Sequence, residues 1–233
     1  MALPPLTEAL QPVLESLDEA LHQRERERRA GVPGRRPVQV LYGGAHLFKP
    51  GAVARIGTLA RAALDTYAPD GPTYAHALGL SLSPTQSAEL RKRVIAKLEH
   101  EPVEDFRIDF EDGYGIRPDE EEDAHADAAG VALEQGRRDG SLPPFIGVRL
   151  KPFVGGAARR ALRTLERVGA HLGSEPIPGF ALTAPKVVLP IQVELLRRSA
   201  EALEHRLGWP TGAVALEMMV ETPSALISGP NKG

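Results

Sequence analysis

FRIDFEDGYG, residues 106–115, is an apolar run with carboxylates woven through it that stops at a glycine turn. The phrase returns with variations as FIGVRLKP at 145–152, carrying Arg149, FALTAPKVV at 180–188, carrying Lys186, and VALEMMVETP at 214–223, carrying Glu221. Its spacing of roughly 35 to 40 residues is the span of one strand plus one crossover helix. That rhythm predicts an α/β fold of the TIM (β/α)8-barrel type, in which charged residues at the carboxyl ends of successive parallel strands converge on one mouth.

Outward from these words, short β-rich or apolar runs predict strands over 38–42, 106–111, 145–150, 179–185 and 213–220, the first stopped by Gly43-Gly44. Helical spacing of apolar residues predicts helices over 6–29, 50–64, 83–99, 119–138, 157–171 and 190–206. Gly31, Pro33 and Gly34 mark a turn, so residues 1–34 read as an N-terminal helical extension. Residues 35–233 read as an incomplete barrel domain with a helical elaboration at about 67–105, too long for an ordinary connection. Five strands are visible where a closed barrel needs eight, and the last residues, SGPNKG, are helix-breaking. The expectation is therefore a barrel truncated after about five βα units: a fragment, a shortened product or a half completed by another chain.

The 233 residues carry a net charge of −3 and no cysteine. The near-neutral balance argues against nucleic acid or an anionic membrane as partner. The lack of cysteine removes disulfides, thiolate nucleophiles and zinc-thiolate sites. No apolar stretch approaches the roughly 18 residues of a membrane span, and a soluble, cytoplasmic protein is expected.

In IDFED, period-two alternation puts Asp109 and Glu111 on one face and Phe110 on the other, so at least one carboxylate points towards the mouth. Such groups need a cation, and the alternatives are a turn acid at Gly113, a magnesium ligand or an orienter of an arginine. Arg149 ends a very apolar strand and offers a planar fork matched to a carboxylate or enolate oxygen, or to a structural partner in Glu111 or Asp112. Lys151 is expected to point the same way. Lys186 follows Pro185 and suits an electrostatic stabiliser better than a Schiff-base amine, because the nearby acids keep it charged. Glu221, before Thr222-Pro223, is the best candidate for a divalent-metal ligand, since magnesium takes one or two protein carboxylates, the alternative being a capping-type contact to backbone amides. Glu217 alternates in phase with it, one layer deeper. Gly43 and Gly44, with His46 and Lys49, are either a tight turn or a cradle for a carboxylate or phosphate. The acidic cluster at 119–123 falls at a helix start, where carboxylates meet the N-terminal dipole.

Taken together, LYGGAHLFKP (41–50), IDFEDGYG (108–115), GVRLKP (147–152), LTAPKVV (182–188) and MMVETPSAL (218–226) resemble, in order and spacing, the HpcH/HpaI aldolase and citrate lyase β-subunit family. The resemblance implies a barrel of the phosphoenolpyruvate/pyruvate superfamily. The implied activity is that of a carbon–carbon lyase or aldolase, dependent on Mg2+ (or Mn2+), working through a metal-stabilised enolate of an oxo-acid or acyl thioester. It assigns Glu221 and Glu111 to the metal, Arg149, Lys186 and Asp112 to catalysis, and Arg149, Gly43, Gly44 and His46 to the substrate. The family's asparagine after the arginine is replaced by Leu150-Lys151, and its second metal ligand, an aspartate on the strand after the glutamate, lies beyond Gly233. Weak metal binding by this chain is expected in consequence. The implied partners are a small oxo-acid or CoA-thioester substrate and further copies in a homo-oligomer, with no nucleic acid and no membrane. Two alternatives stand beside it: a phosphoenolpyruvate-handling phosphotransferase, and an inactive barrel acting as a binding or assembly subunit.

Overall fold

A computed structural model describes residues 10–30 and 35–227. Leu6, the turn at Gly31, Pro33 and Gly34, and the terminal SGPNKG, all read above from the sequence, lie outside the described residues. Contacts divide the chain into two units, residues 1–36 and 37–233. The first contributes one helix, α1 (Gln11–Ala30). No described helix is long and apolar enough to cross a membrane.

In the second unit the elements follow as β1 (Val40–Gly44), α2 (Ala52–Tyr67), α3 (Gly71–Ala77), α4 (Pro84–His100), β2 (Asp105–Asp109), α5 (Asp119–Asp139) and β3 (Phe145–Arg149). They continue with α6 (Ala157–Gly169), β4 (Phe180–Ala184), α7 (Pro190–Leu207), β5 (Ala215–Met218) and the single turn α8 (Pro223–Leu226). The expected elaboration is therefore two helices. Local chemistry sets their ends. Ser83 and Gln86 close a capping box before α4, with Pro84 in its first turn. Helix α5 opens on four consecutive acids and ends at Gly140 in the left-handed region. The first strand corrects the sequence reading: Gly43 and Gly44 do not stop it but form its last two residues. A side chain at Gly43 would strike the Phe106 ring, and one at Gly44 would come within 2.3 Å of the Gly113 carbonyl. Close packing, not a turn, demands these glycines.

The five strands are all parallel and pair in the order β1-β2-β3-β4-β5. Every right-handed crossover advances the same way, which places the helices on one face of the sheet. Phe106, Ile108 and Phe110, Ile146, Val148 and Leu150, and Phe180 and Leu182 point to that face and are buried with Leu133, Leu165, Leu196 and Leu203 of the helices. Burying each such side chain stabilises by about 1.5–3 kcal/mol. The other face alternates into polar residues, and the register aligns them in tiers. Tyr42, Arg107, Gly147, Ala181 and Ala215 form one row. Gly44, Asp109, Arg149, Thr183 and Glu217 form the next, nearer the carboxyl ends.

The sheet curls around this polar face. Laid flat, β1 and β5 would stand about 19 Å apart at the usual strand spacing. Yet the Arg149 guanidinium contacts both Tyr42 of β1, at 4.5 Å from the ring centroid, and the Met219 sulfur at the end of β5, at 3.8 Å. Arg107 of β2 likewise lies 3.4 Å from Glu217 of β5. The sheet is not closed: it has five strands among the described residues.

The acidic start of α5 is bolted to α6 by charge. Asp123 takes Arg160 at 2.8 Å and the Nε of Arg163 at 3.0 Å, and Glu122 accepts from Thr164 at 2.7 Å. The Arg163 hydrogen bond, with Arg160 and Arg167 beside it, outweighs burial and holds the Asp123 carboxyl at about 2, below an ordinary 3.8. A carboxylate depressed on folding stabilises the native state above its unfolded value, and that stabilisation fades as pH falls through the folded one. Urea melts from pH 7 down to pH 2 should therefore show Asp123→Asn less stable than wild type at neutral pH, with the difference vanishing at the acid end. A constant difference across that range would show that Asp123 works through packing alone.

Candidate functional site

At the carboxyl end of β2, Asp109 is fully buried. Its Oδ1 accepts from the Arg149 Nε and from the Glu111 amide, both at 2.8 Å, and its Oδ2 accepts from the Gly113 amide at 2.7 Å and from the Arg149 Nη2. Burial drives this carboxyl upward, but the Arg149 fork and the two amides prevail, so it is held below the ordinary carboxylate range. Gly113 is required here, because a Cβ would meet the Asp109 carboxylate at 2.6 Å. The partner of Arg149 is thus principally Asp109, in a side-on bidentate pair, rather than Glu111 or Asp112 as the alternative reading had it.

That pair leaves one edge of the guanidinium more weakly engaged. Nη1 donates to the Met219 sulfur at 3.8 Å and stands in an ion pair with the Glu111 Oε2 at 3.4 Å, longer than a good hydrogen bond. The Glu111 Oε2 is itself buried without a hydrogen-bond partner. Its Oε1 accepts from the Lys186 ammonium, which also reaches Asp112 at 3.0 Å. The backbone amide of Lys186 donates to the Glu221 carboxylate at 3.0 Å. One residue of the β4–α7 loop therefore ties together the three rim carboxylates Glu111, Asp112 and Glu221. Lys186 does so with φ at 54°, the one non-glycine residue with positive φ among the described residues. Such backbone is uncommon and costs about 1 kcal/mol or more. The hydrogen bond from Lys186 to Glu111, together with Asp112, outweighs burial and raises its ammonium above the ordinary lysine value, so it is a fixed positive charge.

The structure thus brings together Arg149, Glu111, Asp112, Lys186 and Glu221. Gly44 lies on the same face in register with Asp109, whereas Gly43 turns its Cα to the helix face. The His46 ring packs over Gly44 and stands 5.7 Å from Tyr114, whose hydroxyl bonds to His125 at 2.7 Å. Burial, then the nearby Arg117 and His125, lower the His46 imidazole below its ordinary value. Lys151 does not follow Arg149. With β3 ending at Arg149, its ammonium turns to the Phe110 carbonyl and to Glu122, both at 3.2 Å.

Sequence reasoning missed the lower tier. Arg107, buried, donates to Asp105 at 2.9 Å, while its Nε and Nη1 make no hydrogen bond and Nε is ion-paired with Glu217 at 3.4 Å. It runs over Gly147, where a Cβ would meet its Nη1 at 2.4 Å, towards Glu217, which also accepts from Thr183. Burial raises the Asp105 carboxyl against the pull of Arg107. Two signals for this tier were available: the alternation continuing backwards through FRID, and the small residues Gly147, Ala181 and Ala215 in its row. Among the described residues no three histidine or acidic side chains gather as a ready metal-binding group.

Breaking the central pair leaves a buried charge uncompensated, at a cost of about 3–5 kcal/mol. Asp109→Asn should lose that much unfolding free energy in denaturant melts. The double variant Asp109→Asn/Arg149→Met should lose less than the sum of the two single changes, because both act on one contact. Strict additivity would mean that the two groups do not interact.

A family model described as "Domain of unknown function (DUF6986)" matches residues 17–232. No curated protein and no solved structure matches the chain.

Proposed function

The chain belongs to the DUF6986 family, and from the site itself we propose that it is a cytoplasmic carbon–carbon lyase or aldolase of a (β/α)8-barrel type, dependent on Mg2+ or Mn2+ and acting on an oxo-acid or acyl thioester. The observation that carries this reading is the weakly engaged Nη1 edge of the buried Arg149, ion-paired at 3.4 Å with a Glu111 Oε2 that has no hydrogen bond, at the carboxyl ends of the strands. The single winding and curl of the sheet support the barrel, whose chemistry sits at that end.

The donor chemistry suits a divalent cation: Glu111 presents a buried carboxylate oxygen with no hydrogen bond, and Glu221 an exposed carboxylate at the rim three strands on. These two residues would hold it, and when bound it would supply Lewis-acid polarisation of the substrate's oxo oxygen. The rest is the work of the chain's own groups. Arg149 receives the substrate carboxylate or the oxygen on which negative charge grows as the carbon–carbon bond breaks. Its pairing with Asp109 fixes the guanidinium before substrate arrives, so little reorganisation remains for the transition state. Lys186, paired with Glu111, would set a second permanent positive charge beside that oxygen. Asp112, exposed at the rim, is placed to take the hydroxyl proton as the bond to the departing carbonyl fragment cleaves, and to return it in the reverse direction. Gly44, packed under the Gly113 carbonyl, and His46 beside it would border the ligand.

Calorimetric titration of Mg2+ and Mn2+ into the chain, with and without oxaloacetate, tests this proposal. Saturable binding with Kd on the order of millimolar is expected, tightening when the oxo-acid is present. Glu111→Gln and Glu221→Gln should each abolish it, and Arg149→Lys should remove the tightening while leaving metal binding. Metal binding indifferent to both glutamates, or no binding with or without oxaloacetate, would sink the proposal.

A further inference from the structure

Arg149 is held on three sides. Asp109 takes the Nε and Nη2 edge, the Met219 sulfur lies against Nη1, and the guanidinium stands over the ring of Tyr42, with Cζ 4.5 Å from the ring centroid. The two polar contacts fix where the guanidinium sits, but rotation about the axis joining it to Asp109 stays soft. An aromatic face against the guanidinium plane removes that freedom, because a planar cation over a ring keeps the two planes in contact. Tyr42 is positioned for this by its own tier: it stands on β1 in register with Arg107, between the two arginines, and is half-buried. Burial, and then Glu217, raise its phenol above the ordinary tyrosine value, so the ring meets Arg149 as a neutral, electron-rich surface.

We infer that Tyr42 is the residue that sets the plane of the Arg149 guanidinium, and with it the direction in which Nη1 is offered to a carboxylate or enolate oxygen. Its role as substrate positioner rests on the reading of Arg149 given above; its contact with Arg149 does not. The ring, not the hydroxyl, carries the effect. Tyr42→Phe keeps it and Tyr42→Leu loses it.

The test is the Arg149 Nε–H signal in the 15N–1H spectrum of the full chain, assigned by its disappearance in Arg149→Lys, together with calorimetric binding of oxalate, a planar stand-in for the enolate of an oxo-acid. In the wild-type chain the arginine side-chain protons near the ring should be shifted upfield and show cross-relaxation to the Tyr42 ring protons. Tyr42→Phe should retain the upfield shift, slow Nε–H exchange and oxalate affinity within about twofold. Tyr42→Leu should lose the shift, exchange Nε–H faster and bind oxalate about fivefold more weakly, within the range of one cation–π contact. A wild-type spectrum without cross-relaxation to Tyr42 overturns the inference even if Tyr42→Leu does not fold, and so does a Tyr42→Leu chain whose Arg149 signal and exchange are unchanged. Should the wild-type chain show the shift and bind no oxalate, the oxo-acid reading falls while the orienting of Arg149 by Tyr42 is upheld.

Discussion

Everything on the polar face is arranged around the pairing of Arg149 with Asp109. A guanidinium at the end of β3 and a carboxylate at the end of β2, both buried, are each intolerable alone and mutually required. Meeting that requirement fixes Gly113, whose amide must approach the carboxylate, and Gly44, which must let the Gly113 carbonyl come close. It also fixes the register of β1, β2 and β3, since a slip by one residue would turn Asp109 or Arg149 into the helix layer. The same pair that secures the sheet leaves one edge of the arginine without a strong partner, so structure and proposed chemistry draw on one residue.

The two faces divide the work. Apolar side chains at every second position make a continuous helix-covered core, and the alternate positions carry charge in tiers that a typical barrel would fill with branched aliphatic residues. Charge at this depth is tolerable because each group meets an opposite one: Arg107 pairs with Asp105 on its own strand and reaches across the sheet towards Glu217, and Lys186 reaches across to Glu111. Those reaches are possible only because the sheet curls and because Gly147, Ala181 and Ala215 leave a track for the long Arg107 side chain.

Much of this architecture was legible in the words of the chain. Continuous apolar runs ending in charge gave β2 to β5 within a residue or two, because strands covered on one face and lined by tiers on the other carry few polar interruptions. The rim residues Lys186 and Glu221 were legible for the same reason, each being the first charge after an apolar run, and Glu111 by its period-two alternation with Asp109. The first strand was misplaced because Gly43 and Gly44 have the composition of a turn, and only the Phe106 ring and the Gly113 carbonyl, more than sixty residues away, show why glycine is needed in a strand. The sequence offered the carboxylates of IDFED both as a turn acid at Gly113 and as an orienter of an arginine, and Asp109 is both. Glu111 and Asp112, named as structural partners of Arg149, stand nearer the turn, whereas the deeper Asp109 has the fork geometry and the amides. The helix of residues 71–77 was not separated from its surroundings, being too short for its periodicity to register.

The span of these contacts along the chain also orders events in time. Each strand pairs with the one made just before it, so the sheet and its helix layer can grow step by step from the amino end, every addition buried by its neighbour. The links of the polar face are of another kind: Arg149 to Met219 crosses 70 residues and Lys186 to Glu111 crosses 75. The link to Glu111 must wait for β4 and that to Met219 for β5. Contact span thus predicts a scaffold that forms ahead of its site, with most of the hydrophobic core in place while the mouth is still unassembled.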